Sequence, residues 1–167
     1  IRKKMAMVFQ FGALFDSMTV SENIKMALNR LTNLKVDEIE NRIKICLKEI
    51  GMEDTEELMP SELSGGMKKR VGIARAIASD PDYIFYDEPT TGLDPIMSDI
   101  INKLIKKFKE QKRMTSVIVT HSMKTVYDVV DRVLMLENGK IKFDGTPLEI
   151  KNCKDKSISM FVEGKSN

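Results

Sequence analysis

The sequence predicts an α/β fold in which a parallel-sheet core carries an α-helical subdomain. Short apolar, β-branched or aromatic runs near residues 5–9, 83–87 and 116–120 alternate with segments of helical period, the pattern of a parallel sheet joined by crossover helices. The stretch from Phe11 to about Ser79 is almost all helical in period, so it reads as a subdomain inserted into the sheet or leaning on it. The second strand ends in two carboxylates, Asp87 and Glu88, and open α/β sheets bind ligands at the carboxyl edge of their strands.

Bulk properties narrow the function classes. A chain of 167 residues, 42% hydrophobic and 31% charged, is globular rather than disordered. Its 27 basic and 25 acidic residues leave a net charge of +2, which makes no global case for nucleic acid or an anionic membrane. No apolar run approaches the roughly 20 residues that cross a bilayer, and no signal peptide opens the chain. The chain begins Ile1-Arg2-Lys3-Lys4 without an initiator Met and reads as a piece of a longer protein. Cys46 and Cys153 have neither disulfide-framework nor zinc-ligand spacing and read as reduced thiols of a cytosolic protein.

Each element has its own local cause. Met5 to Phe9 is an apolar run of strand length that ends at Gln10, and Phe11 to Met18, with Gly12 and Asp16, suits a loop. Thr19 and Glu22 have capping-box spacing for a helix to about Leu31. Asp37 to Ile50 places Ile39, Ile43, Cys46, Leu47 and Ile50 on one helical face, and Gly51 stops it in the left-handed position. Glu53 to Ser61 is an acidic loop containing Pro60. Ser64 caps the next helix, whose expected buried stripe is Met67, Val71, Ala74, Ile77 and Ala78, with Lys68, Lys69 and Arg75 off it. Asp80-Pro81-Asp82 ends that helix, and Tyr83 to Tyr86 is the second strand.

Asp94-Pro95 starts a helix to about Lys112, with Ile96, Ile100, Leu104, Ile105 and Phe108 expected inward. Ser116 to Val119 is expected as a buried strand, with His121 just past its end and a short helix over Ser122 to Val130. Asn138-Gly139 is a hairpin turn between Val133–Glu137 and Lys140–Asp144. Thr146, Pro147 and Glu149 cap a further helix. The tail from Asn152 is polar and basic, with a weak amphipathic segment around Ile158 to Val162.

Several residues point to chemistry, each with a plainer reading beside it. Asp87 and Glu88 put charge at the ligand-binding edge of a parallel sheet, or merely solvate a strand end. Leu63-Ser64-Gly65-Gly66 puts two glycines at a helix start, where free N–H groups and the helix dipole favour an anion such as phosphate. A capped helix with a flexible entry explains the same residues. His121 is the only histidine, and Gln10 is a strand-end amide of a kind that is usually solvated. Lys68-Lys69-Arg70 reads as a solvated helix face, because no aromatic stacking platform accompanies it for nucleic acid. The twelve methionines sit at core spacings and call for no cofactor.

Taken in order, these segments resemble the motifs of ABC-transporter ATPases over roughly residues 5–150. Leu63-Ser64-Gly65-Gly66-Met67 and the run to Ala78 resemble the signature motif and its helix. Tyr83-Ile84-Phe85-Tyr86-Asp87-Glu88 resembles Walker B, and Pro89-Thr90-Thr91-Gly92-Leu93-Asp94-Pro95 the D-loop that follows it. Gln10 with Phe11 to Asn23 resembles the Q-loop, and His121 after Ser116-Val117-Ile118-Val119-Thr120 the switch histidine.

The resemblance implies ATP and Mg²⁺ as cofactors, and it assigns roles. Asp87 would hold Mg²⁺, with Gln10 contacting the same metal site. Glu88 would act as general base, and His121 would sense the γ-phosphate. Ser64, Gly65 and Gly66 would meet ATP bound to the opposite subunit, and Asp94 would lie at the nucleotide. Residues 1–10 and 80–150 would then belong to a P-loop NTPase sheet core, 11–79 to the helical subdomain and 151–167 to a C-terminal tail. Within the family, Phe9 to Asn23 and Thr90-Thr91-Gly92-Leu93-Asp94-Pro95-Ile96 look most like the phospholipid-asymmetry, toluene-tolerance branch. That branch implies a second ATPase subunit, a transmembrane permease, a periplasmic lipid-binding component and a place on the cytoplasmic face of the bacterial inner membrane. It implies no nucleic acid. A soluble ABC ATPase acting on nucleic acid or the ribosome, and a non-catalytic interaction module, are the alternative classes.

The departure from the family is large. No Gly-x-x-x-x-Gly-Lys-Ser/Thr occurs in the chain, so the core is that of an incomplete P-loop NTPase. The aromatic that stacks on adenine would lie before residue 1. The polypeptide alone is therefore expected to bind ATP weakly and not to hydrolyse it. Missing neighbour strands would bare sheet edges and apolar faces, and a non-native dimer or a swapped arrangement is expected to result.

Overall fold

The structure, a computed structural model, describes residues 2–112 and 114–165. Ile1 of the expected core and Ser166 and Asn167 of the expected tail lie outside the described residues. In order the elements are β1 (Met5–Val8), α1 (Val20–Leu31), α2 (Val36–Glu49), α3 (Gly65–Ile77), β2 (Tyr83–Asp87), α4 (Pro95–Lys112) and β3 (Thr115–Val119), then α5 (Met123–Val129), β4 (Val133–Glu137), β5 (Lys140–Gly145), α6 (Pro147–Lys151) and α7 (Lys156–Glu163). The chain divides into two compact units, Ile1–Val119 and Thr120–Asn167. Among the described residues no helix is long and apolar enough to cross a membrane.

The first unit holds a parallel sheet in the order β1-β2-β3. Met5 pairs with Tyr83 and Val8 with Tyr86, while Tyr83 pairs with Thr115 and Asp87 with Val119. All three carboxyl ends therefore lie at one edge. Side chains alternate between the two faces of a strand, and here the faces differ. Val8, Ile84 and Tyr86 on one face are at most 2% exposed. On the other, Met7 is 45%, Tyr83 46% and Val119 61% exposed. The expectation of a buried strand at Ser116–Val119 is corrected accordingly. Parallel sheets are ordinarily covered on both faces, and in this unit the helices bury only one.

Helices α1, α2 and α3 pack on one another, and α3 also packs on β1. Their boundaries follow local chemistry. Thr19 accepts from the Glu22 amide while the Glu22 carboxylate accepts from the Thr19 amide, as the capping-box spacing predicts. The expected stripe of α2 is buried throughout, and Gly51 stops the helix at φ 64°. Two arginines then cap reciprocally. Arg42 of α2 donates to the Ile77 and Ala78 carbonyls at the end of α3, and Arg70 of α3 donates to the Ile50 and Gly51 carbonyls at the end of α2. Carbonyls at a helix end have no intrahelical donor, so each guanidinium satisfies what the other helix leaves open.

In α4, Leu104, Ile105 and Phe108 are buried as expected, but Ile96 is 75% exposed and Ile101, at 0%, is buried. At the helix start it is Met97 rather than Ile96 that packs inward, the end of its side chain lying against Gly66.

The second unit follows its local signals. Ser122 accepts from the Thr125 amide at the start of α5. Asn138 and Gly139 take φ 50° and 74°, the left-handed pair of a two-residue hairpin turn, between β4 and β5. Thr146 and Glu149 form the expected capping box of α6. Asp155 caps α7 by accepting from the Ser157 and Ile158 amides, so the amphipathic tail segment is a helix that buries Ile158.

Candidate functional site

β2 ends at Asp87, and Glu88 is the next residue, so both carboxylates stand at the shared carboxyl edge of the sheet. Gln10 comes two residues beyond the end of β1 at that same edge. Glu88 sits at φ 44°, a left-handed conformation that costs a non-glycine residue about 1–3 kcal/mol and persists only where its surroundings over-determine it.

Those surroundings are specific. The Glu88 amide donates to the Val119 carbonyl of β3 over 2.9 Å. Thr91 Oγ1 donates to Glu88 Oε2 over 2.8 Å, a hydroxyl bond that holds one carboxylate oxygen. The Thr91 and Leu93 amides close turns onto the Glu88 and Thr90 carbonyls. Beneath the loop, Lys69 Nζ donates to the carbonyls of Glu88 (3.5 Å), Pro89 (3.0 Å) and Thr91.

Lys69 overturns the reading of Lys68-Lys69-Arg70 as a solvated face. Its residue is 4% exposed. Burial pushes its pKa down from the ordinary lysine value, and the nearby Glu88 carboxylate opposes that shift. Arg70 caps α2, as described above, and Arg75 donates to the Gly12 and Ala13 carbonyls over 2.9 and 2.8 Å. The physical reason is that α3 is buried on most of its circumference, including Gly66, Val71, Gly72, Ile73, Ala74, Ala76 and Ile77. Lys69, Arg70 and Arg75 therefore meet protein carbonyls. The sequence hints at its burial though not at its partners: Ile73 and Ala76 form a second apolar stripe in line with Lys69. A helix that is apolar nearly all round is a buried one.

The glycines of the signature-like segment divide in function. Ser64 accepts from the Met67 amide and caps α3. Gly65 has nothing within 4 Å of the place a Cβ would occupy, so its backbone is open to an approaching group. Gly66 is buried, and the end of the Met97 side chain of α4 fills the space a Cβ would need. One glycine leaves a surface bare while the other permits packing. Asp94 caps α4, its Oδ1 accepting from the Ile96 and Met97 amides over 2.9 Å each.

Further from the carboxylates, Gly12 and Gly72 bring the loop after Gln10 against α3. A Cβ on Gly12, at φ 78°, would stand 2.7 Å from the Lys68 carbonyl oxygen, and one on Gly72 would stand 3.0 Å from Gly12 Cα. Asn23, fully buried, closes the rest of that loop. Its amide donates to the Phe15, Met18 and Thr19 carbonyls, and its oxygen accepts from the Phe15 amide.

The structure thus brings Asp87, Glu88, Gln10 and Asp94 into one unit with the Ser64-Gly65-Gly66 helix start. His121 is an exposed residue of the second unit, two positions beyond the end of β3. Sequence reasoning missed Lys69, Thr91 and Asn23. As for a metal, among the described residues no group of three or more His, Cys, Asp or Glu side chains converges. The donors present, a carboxylate and an amide oxygen, suit a hard cation that completes its shell with phosphate and water, which is how Mg²⁺ is commonly held.

Comparison with known proteins bears on the family and the fold. The ABC transporter family pattern matches residues 1–91. The chain is 37% identical over 167 residues to the intermembrane phospholipid transport system ATP-binding protein MlaF of Haemophilus influenzae, covering 100% of this chain and 63% of that protein. It is 38% identical over 168 residues to the methionine import ATP-binding protein MetN 2 of Bacillus cereus, covering 100% of this chain and 49% of that one. A solved ATP-binding cassette, a dimer in a post-hydrolysis state bound to ADP and Pi, superposes with a TM-score of 0.78 at 32% identity, over 87% of this chain and 64% of its own. With more than half its length matched by the family pattern, and with the α/β fold of a solved cassette, the chain belongs to the ABC transporter family.

Proposed function

We propose that this chain contributes the carboxylate edge and signature helix of an ATP-hydrolysing subunit, one that powers lipid movement through a membrane permease. The observation that carries the activity is Glu88, held at a strained φ by the Val119 carbonyl, the Thr91 hydroxyl and the Lys69 ammonium at the carboxyl edge of a parallel sheet. A carboxylate so fixed is suited to accept a proton from an attacking water. Asp87 and Gln10 would hold Mg²⁺, which when bound neutralises charge on the phosphates. Gly65 offers an open backbone at the start of α3, suited to approach by a nucleotide held on a second subunit. Asp94 spends its Oδ1 on capping α4, so its contribution at the nucleotide would run through the placement of the loop. His121 would act as the γ-phosphate sensor.

The chain spans 63% of the MlaF relative, and no phosphate-loop motif lies within its 167 residues. The reading therefore has the 167-residue polypeptide supply half of a site. A fluorescent-ATP titration of it should give no saturation in the micromolar range and no phosphate release. Micromolar affinity would overturn the half-site reading.

The likeness to MlaF supports a phospholipid or other lipid substrate, and the dimeric cassette supports a second ATPase subunit. A permease, a periplasmic lipid-binding component and a peripheral place on the cytoplasmic face of the inner membrane complete the proposal. The comparable identity to MetN 2 favours a second reading, amino-acid import. Stimulation of the assembled ATPase by phospholipid but not by methionine supports the first reading, and the reverse supports the second.

A further inference from the structure

We propose that Lys69 is a positioning residue, fixing the backbone of the loop that follows Glu88 and thereby the direction of the Glu88 carboxylate. The inference rests on reading Glu88 as the base. It adds a residue to the site that no spacing in the sequence assigns.

Three observations support it. First, one ammonium group meets three carbonyls of a single short loop, those of Glu88, Pro89 and Thr91. An ammonium has three N–H donors and no acceptor, so three carbonyls match its full capacity. Second, the residue is 4% exposed, and hydrogen bonds from a charged donor are the stronger class. Third, the clamped segment contains the strain. Glu88 is left-handed at φ 44°, and Thr91, whose carbonyl Lys69 holds, supplies the hydroxyl bonded to Glu88 Oε2. Releasing the Thr91 carbonyl would release the hydroxyl that aims the carboxylate. Because Lys69 lies five residues after Ser64, the same helix also ties the nucleotide-facing start of α3 to the loop that carries the base.

The test is amide hydrogen exchange by NMR on the 167-residue chain, comparing Lys69→Met, Lys69→Gln and Lys69→Arg with the parent. In Lys69→Met the Thr91 and Leu93 amides should exchange at least about tenfold faster, while Ile84 and Tyr86 in β2 keep their rates. The backbone coupling and Cα shift of Glu88 should move away from left-handed values. Lys69→Arg should restore most of the loop protection, and Lys69→Gln, with two N–H donors, should fall between. Unchanged loop exchange in Lys69→Met overturns the proposal. So does acceleration shared equally by β2, which is what a general loss of packing would give. Should Lys69→Met not fold, the order Arg above Gln in loop protection decides, and equal protection in the two overturns it. The base itself is tested separately, by turnover of Glu88→Gln in an assembly that supplies the phosphate loop. Normal turnover there would sink the reading of Glu88 and leave the loop measurement standing.

Discussion

The two faces of the β1-β2-β3 sheet are built from similar residues and live in different surroundings. Ile84 and Tyr86 lie in a packed core, while Met7, Tyr83, Val117 and Val119 on the reverse are 44–61% exposed. Alternation in a strand assigns residues to faces, but it does not say which face is covered. Here both faces are apolar enough to be buried, and only the helices of the first unit decide that one of them is. An apolar area of that kind marks a surface with a partner or a liability to associate.

The largest expected effect breaks the comparison on its covered side. Ile84→Ala should cost about 2–5 kcal/mol, because it removes packed methyl groups and leaves a cavity. Val117→Ala on the bare face should stay within about 0.5 kcal/mol. Urea unfolding followed by a probe in the first unit measures both, and equal losses would erase the distinction between the faces.

Next in size is the contact of the loop after Gln10 with α3. Gly12→Ala places a methyl against the Lys68 carbonyl at a φ of 78°, and about 1–3 kcal/mol of strain is expected. Gly92→Ala has a similar φ, 77°, with open space around it, and should cost less. The difference between these two isolates the steric part from the conformational part.

A smaller stability effect, with a clear readout in solution, comes from charging the bare face. Val117→Lys combined with Met7→Lys should leave unfolding nearly unchanged and shift light scattering from self-associated chains toward monomer. A parent chain that is already a clean monomer would remove the ground for that expectation.

The smallest effect concerns the second unit, which should ignore every variant above. The Arg132 fork bonded to Asp144 holds that carboxyl below its ordinary pKa. The Thr146 amide does the same for Glu149, and the Ser157 hydroxyl for Asp155. A carboxylate whose folded pKa is depressed contributes stability above its unfolded pKa, near pH 4, and loses it as pH falls through the folded value. Thermal unfolding of the hairpin unit should therefore be flat from about pH 7 to 5 and decline below about pH 4. All these groups are exposed, so the decline should be shallow.

Local codes were legible in the sequence wherever their cause lies within a few residues. The capping boxes at Thr19 and Thr146, the left-handed stop at Gly51, the Asn138-Gly139 turn and the buried stripe of α2 all follow from chemistry between near neighbours. So do the carboxylates at the end of β2, since strand polarity and the following Pro89 to Pro95 loop are written in order. What the sequence hid depends on distant partners. Lys69 looks like a surface cation until the helix is packed on three sides and three carbonyls replace water. Gly65 and Gly66 look equivalent until Met97 approaches one of them. On α4 it is Ile101 rather than Ile96 that is buried, which only packing reveals.

The sequence by itself determined the family, the succession of strands and helices along the chain and the placement of Asp87 and Glu88 at a strand end, because periodicity, capping and motif spacing act along the chain. The tertiary structure alone decided which sheet face is bare, which glycine is open and which cation holds the loop after Glu88. Burial and hydrogen-bond satisfaction are properties of neighbours in space, and Lys69 lies about twenty residues along the chain from the carbonyls it holds.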